Sequence, residues 1–68
     1  MNIVLIGSGN VATHLGQALK KAGNNILQVW SRHKTNASTL AHSLQAEPIS
    51  QLSSVNPVAD IYIIAVKD

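Results

Sequence analysis

Two short stretches of this chain carry residue types suited to holding phosphate. The first, Gly7-Ser8-Gly9-Asn10-Val11-Ala12, follows the apolar run Ile3-Val4-Leu5-Ile6 and leads into a helical pattern. Gly7 permits a tight bend after a strand, and Gly9, without a side chain, lets a diphosphate approach the backbone. Ala12 stands where a third small residue lets the helix lie against the strand. The amides of Asn10 and Val11, at the helix N-terminus, would face the phosphates with the positive end of the helix dipole behind them. A plain strand-to-helix turn also uses glycines for geometry, and G-x-G-x-x-G/A alone is a weak pattern. The strand before it and the helix after it are what make it a dinucleotide fingerprint.

The second stretch is Trp30-Ser31-Arg32-His33-Lys34, about 20 residues further on. A site for NAD usually places Asp or Glu here to accept from the ribose 2′-hydroxyl. This chain has a hydroxyl and a guanidinium instead. A carboxylate would repel a 2′-phosphate, whereas Arg32 can grip one through paired hydrogen bonds and lay its plane over the adenine. Ser31 would donate to the same group, with Lys34 and His33 adding positive potential. NADP is therefore the expected cofactor, against the alternative of a solvated basic loop. A third segment, Ala65-Val66-Lys67, closes the last apolar run and is expected beside the nicotinamide half of the cofactor.

The elements that must position these groups are legible in the hydrophobic pattern. Asn2–Ile6 reads as a strand covered on both faces, as in a parallel sheet. From Asn10 to Ala22 the spacing of Val11, Leu15, Ala18, Leu19 and Ala22 predicts a helix with that stripe inward. Lys20 and Lys21 suit its last turn, Gly23 a left-handed cap, and Gly16 a close approach of helix to sheet. Ile26–Trp30 reads as a second strand. A second helix is expected over Asn36–Gln45 with Leu40, Ala41 and Leu44 inward, then a short edge strand at Glu47-Pro48-Ile49. Gln51–Asn56 reads as a helical turn closed by Pro57, and Ile61–Val66 as a fourth, fully apolar strand. The order βαβαβαβ implies an α/β fold, a Rossmann-like parallel sheet of strand order 3-2-1-4. The cofactor then belongs at the switch point between the first and fourth strands.

At 68 residues the chain holds one small domain, so residues 1–68 read as the N-terminal portion of a larger doubly wound domain, without a substrate domain. Its 46% hydrophobic content is too high for a disordered segment. Without cysteine there are no disulfides or thiolate metal sites. The cations form no stripe and only Trp30 and Tyr62 are aromatic, so nucleic-acid binding is not expected, although the formal charge is +2. No apolar run is long enough to span a bilayer and no signal peptide is visible, which makes a cytoplasmic setting the default. The carboxylates Glu47, Asp60 and Asp68 are spread along the chain, so no metal cluster or acid/base pair is read, and no residue stands out as catalytic.

On three segments, Ile6-Gly7-Ser8-Gly9-Asn10-Val11-Ala12, Trp30-Ser31-Arg32, and Ala59-Asp60-Ile61 through Ala65-Val66-Lys67, the chain resembles the N-terminal NADP-binding domain of the pyrroline-5-carboxylate reductase group. It is similar also to deazaflavin-dependent NADP reductases and related uncharacterised Rossmann-like oxidoreductases. The matches span the whole chain in order. Asp68 stands where that group usually has proline after the lysine. The resemblance implies hydride transfer between NADPH and an imine-like or other small electrophilic substrate. It also implies a substrate site and homo-oligomer contacts in a helical C-terminal domain. Two other readings compete: a non-catalytic nucleotide- or redox-sensing module of the same fold, and adenosylmethionine binding. The latter would want an acidic residue where Ser31 stands.

Overall fold

In the computed structural model, which describes residues 1–7 and 9–65, the first strand is the hub. β1 (Asn2–Ile6) pairs in parallel with β2 (Asn25–Trp30) on one side and with β4 (Ile61–Ile64) on the other. β3 (Glu47–Ile49) adds outside β2, so the sheet runs β3-β2-β1-β4. Ile3, Val4 and Leu5 are fully buried, as a central strand with two covered faces requires. The order 3-2-1-4 read from the sequence is the order of the sheet, and Pro48 sits on its edge strand, where its missing amide does no harm.

One face of the sheet carries α1 (Asn10–Lys21) and α2 (Lys34–Leu44). Ile3, Leu5, Ile26 and Val29 form the strand side of that core, and Ala12, Ala37, Leu40, Ala41 and Leu44 the helix side. The α1 stripe differs from the expected one. Ala12 and Gly16 are the residues it buries, with Leu15 and Leu19 half-buried beside them. Val11 is 71% exposed, and Ala18 and Ala22 face outward. The helix is rotated by one residue from the stripe of larger side chains because it lies too close to its neighbours for them. A Cβ added to Gly16 would come within 2.8 Å of Leu44 Cδ1 and 3.2 Å of Leu5 Cδ2.

α2 starts two residues earlier and ends one earlier than the sequence implied, and its expected inner residues are all buried. Each helix ends in the same way. Gly23, at φ +97°, donates its amide to Lys20 O at 3.0 Å, and Asn24 donates to Leu19 O at 3.1 Å. Gln45, at φ +56°, donates to His42 O at 3.2 Å, and Ala46 donates to Ala41 O at 2.8 Å. These paired bonds satisfy carbonyls that a helix C-terminus leaves bare. The Lys20 ammonium also donates to Leu44 O at 2.8 Å, tying one helix end to the other.

The opposite face is crossed by the β3–β4 connection, whose only regular piece is a single 3₁₀ turn at Leu52–Ser54, shorter than the turn read from the sequence. Its anchor is Gln28, a buried polar side chain in the middle of β2. Gln28 Nε2 donates to Glu47 Oε1 at 3.2 Å and Ser54 O at 3.1 Å, and Asn56 N–H donates to Gln28 Oε1 at 2.7 Å. Trp30 Nε1 donates to Ser50 O at 3.3 Å, and the Tyr62 hydroxyl donates to Asn56 O. Gln28 reaches this face because the β1–β2 register slips by one residue, from Ile3↔Ile26 to Val4↔Gln28. A one-residue slip exchanges the faces of everything beyond it. β4 is apolar as expected but ends at Ile64, and Ile64 is 71% exposed on this face. Among the described residues no helix is long and apolar enough to cross a membrane.

Candidate functional site

Three chain segments leave the carboxyl ends of their strands side by side. The Gly7 amide donates to Trp30 O at 2.6 Å and the Ala65 amide to Ile6 O at 2.8 Å. The turn after β1 is thereby stitched to the ends of both β2 and β4. This edge is the switch point of the sheet, and it brings together the described members of all three sequence-predicted groups. Ser8, Val66 and Lys67 lie outside the described residues.

At the centre, Gly7 is buried with φ at +134°, a backbone conformation that side-chain-bearing residues rarely adopt. Gly9 is the N-cap of α1, exposed, and a Cβ built on it meets nothing within 4 Å. Its carbonyl accepts from both the amide and the hydroxyl of Thr13, each at 2.9 Å, which sets the first turn of the helix. Among the described residues no side chain caps α1, and its first turn holds no acid. The leading amides of a helix have no partner within it. Those of the exposed Asn10 and Val11 therefore lie on a face that a bulkier residue than Gly9 would crowd. Such a terminus receives anions. Ala12 is fully buried, which fits the small-residue role read for it.

On the β2 side, Ser31 is 8% exposed and its Oγ accepts from the His33 amide at 3.2 Å. This local hydroxyl–amide bond shapes the turn that starts α2. Arg32, His33 and Lys34 are all exposed. α2 has His33 as its N-cap, again with no side-chain cap bond and no acid in its first turn. A second positive helix end thus stands within two residues of Arg32. Sequence reading started α2 at Asn36 and missed this. The available signal was Ser31 two residues ahead of His33, the spacing of a hydroxyl-capped turn.

The described carboxylates are engaged elsewhere. Asp60, ahead of β4, accepts from the Asn2 amide at 2.7 Å, and Glu47, at the start of β3, accepts from Gln28. At this edge the described ionisable side chains are therefore basic, and the arrangement suits a ligand with several phosphates. A depression of about 340 Å³ between the helices, lined by Thr13, Gln17, Asn36, Thr39, Leu40 and Ser43, offers no charged side chain and does not. Among the described residues no group of three or more His, Cys, Asp or Glu side chains could hold a metal ion.

Residues 2–68 match the family described as NADP oxidoreductase coenzyme F420-dependent. The Bacteroides fragilis protein BF3122, provisionally assigned as an NADP oxidoreductase, is 48% identical and superposes with a TM-score of 0.94 over 98% of this chain. The chain spans 26% of the length of that protein. GenD2 from gentamicin A biosynthesis, solved in complex with NAD, superposes with a TM-score of 0.87 over 96% of this chain and 20% of its own. At 15% identity it shares the fold. No curated protein matches the sequence.

Proposed function

Because this chain belongs to the NADP oxidoreductase coenzyme F420-dependent family, we propose that it forms the cofactor-binding part of an enzyme transferring hydride between NADPH and an imine-like or other small electrophilic substrate. NADPH would supply the hydride when bound, and the chain's own residues bind and orient the cofactor. Gly7 and Gly9 make the bend, Ser8 is assigned to the same phosphate-binding stretch, and the amides of Asn10 and Val11 hold the diphosphate. Ala12 lets α1 sit close enough for those amides to reach. Ser31 and Arg32 take the 2′-phosphate. Ala65, which is bonded to the end of β1, is assigned with Val66 and Lys67 to the nicotinamide half. The substrate site and the contacts of a homo-oligomer are assigned to parts of the enzyme beyond this domain, and the setting is the cytoplasm.

The supporting observation is the pairing of two helix N-termini at one sheet edge. Among the described residues neither has a side-chain cap or an acid in its first turn, one opens on the bare backbone of Gly9, and the other starts two residues after Arg32. Titration with NADPH and NADH tests the reading. NADPH should bind more tightly, and Arg32→Ala should weaken NADPH by about tenfold or more while leaving NADH nearly unchanged, since a hydrogen bond to a charged group contributes about 1.5–3 kcal/mol. Equal affinity for the two nucleotides, or an equal loss in the variant, contradicts it.

A further inference from the structure

Two side chains of β2 hold the two ends of the edge strand. Gln28 is bonded to Glu47 at the start of β3, and the Trp30 indole N–H donates to Ser50 O, one residue past its end, at 3.3 Å. β3 is only three residues long, and Pro48 at its middle has no amide to give to the ladder. Trp30 is also the last paired residue of β2, opposite Ile6 on one side and Ile49 on the other, and its carbonyl accepts from the Gly7 amide. The glycine bend, the end of β3 and the start of the basic loop thus meet at one residue. Beyond it the packing opens. A depression of about 270 Å³ lies between the start of α2 and the end of β3, with Lys34 and Ser38 on one wall and Pro48 and Ser50 on the other. Arg32 is exposed between Trp30 and that helix start, so its place is set by the chain on either side of it.

We infer that Trp30 is a positioning residue for the 2′-phosphate: by tying the end of β2 to Ser50, its indole N–H keeps the Ser31-Arg32 segment in the conformation that meets that group, and the preference for NADPH over NADH depends on the tie. This rests on the cofactor reading above. Trp30 acts through its neighbours and is assigned no contact with the cofactor. Without the tie, the competent loop is a smaller fraction of the ensemble, and the apparent affinity for NADPH falls in proportion. NADH brings no phosphoryl group to this segment, so its affinity does not depend on where Arg32 stands.

A double-mutant cycle separates positioning from plain structural support. Its members are the unaltered protein, Trp30→Phe, which keeps an aromatic ring and removes the N–H, Arg32→Ala, and the two changes together. The dissociation constants of NADPH and NADH are read for each, alongside the melting temperature. Trp30→Phe should weaken NADPH about three- to fivefold, the scale of one neutral hydrogen bond, and leave NADH unchanged. With Arg32→Ala already in place, the same change should cost NADPH less than about twofold, because the group it positions is gone. A structural tryptophan would weaken both nucleotides together, or cost NADPH as much without Arg32 as with it. Either result, or an unchanged ratio in Trp30→Phe, overturns the role of Trp30 and leaves Arg32 standing. If Trp30→Phe does not fold, Trp30→Leu, which also lacks the donor, takes its place in the cycle with the same outcomes. If NADPH binds no tighter than NADH in the unaltered protein, the cofactor reading falls and this inference falls with it.

Discussion

The two helices of this domain rest on the same face of one sheet, start at the same edge and finish in the same hydrogen-bond pattern, yet they reach these ends by different chemistry. α1 opens on Gly9 and buries Ala12 and Gly16; α2 opens on His33, between Arg32 and Lys34, and buries Ala37, Leu40, Ala41 and Leu44. α1 works through what its residues lack: a bare backbone at the start and a flat surface in the middle. α2 works through what its residues carry, namely cations at the start and leucines that fill the space α1 leaves open. The contact between Gly16 and Leu44 is where the two strategies meet. Backbone recognition tolerates no added atoms, whereas side-chain recognition can be tuned residue by residue. On the proposed reading, the diphosphate common to NAD and NADP falls to α1, and the phosphate that distinguishes them falls to α2.

The sharpest way to break this contrast is Gly9→Asp. The Cβ at this position has open space, so the fold should survive, but a carboxylate would stand at the bare amides. NADPH and NADH should both weaken by at least about tenfold, in contrast to the selective loss expected at Arg32. A loss confined to NADPH would show that the two helix starts are not divided in this way.

Gly16→Ala probes the middle of the helices. Alanine favours a helix over glycine by about 1 kcal/mol. The new methyl, however, would overlap Leu44, which is fully buried and has little room to move. Overpacking of this kind costs about 1–3 kcal/mol, so thermal unfolding should show a net loss of about 1 kcal/mol. An unchanged or higher melting temperature would mean that the helices separate readily.

The smallest effect is expected where the helices end. Gly23 and Gln45 occupy the same place in the same motif, at φ +97° and +56°. Gln45→Gly would relieve roughly 1 kcal/mol of left-handed strain and give part of it back as glycine's chain entropy. A gain of about 0.5 kcal/mol by thermal denaturation would make the two C-termini equivalent. A loss would mean that the Gln45 side chain contributes more than its backbone costs.

Much of this was legible because it depends on local chemistry. Gly7 and Gly9 were readable as a bend with an open backbone, Gly23 as a left-handed cap, Pro48 as the mark of an edge strand, and the bracketing apolar runs gave the sheet order. The candidate site was readable as residue types, since the basic loop after β2 needs only a count from the glycines. Two features were hidden. The buried face of α1 is made of the small residues Ala12 and Gly16, so the stripe traced by Val11, Leu15, Ala18, Leu19 and Ala22 pointed to a face on which Leu15 and Leu19 are half-buried and the other three exposed. The early start of α2 was hidden because Lys34, Thr35 and Asn36 have no apolar period to announce a helix.

By itself the order of residues determined the number and kind of elements, their pairing order, the glycine bend and the cationic loop, because each depends on backbone freedom, charge or periodicity within about a dozen positions. Tertiary structure alone decided the phase of α1, the slip between Ile3 and Val4, and hence the turning of Gln28 to the face crossed by the β3–β4 connection. The physical reason is the same in each case. Which face a side chain takes is settled by the neighbour it must fit, and Leu44 for Gly16, Ser54 and Asn56 for Gln28, lie 26 to 28 residues away in the chain.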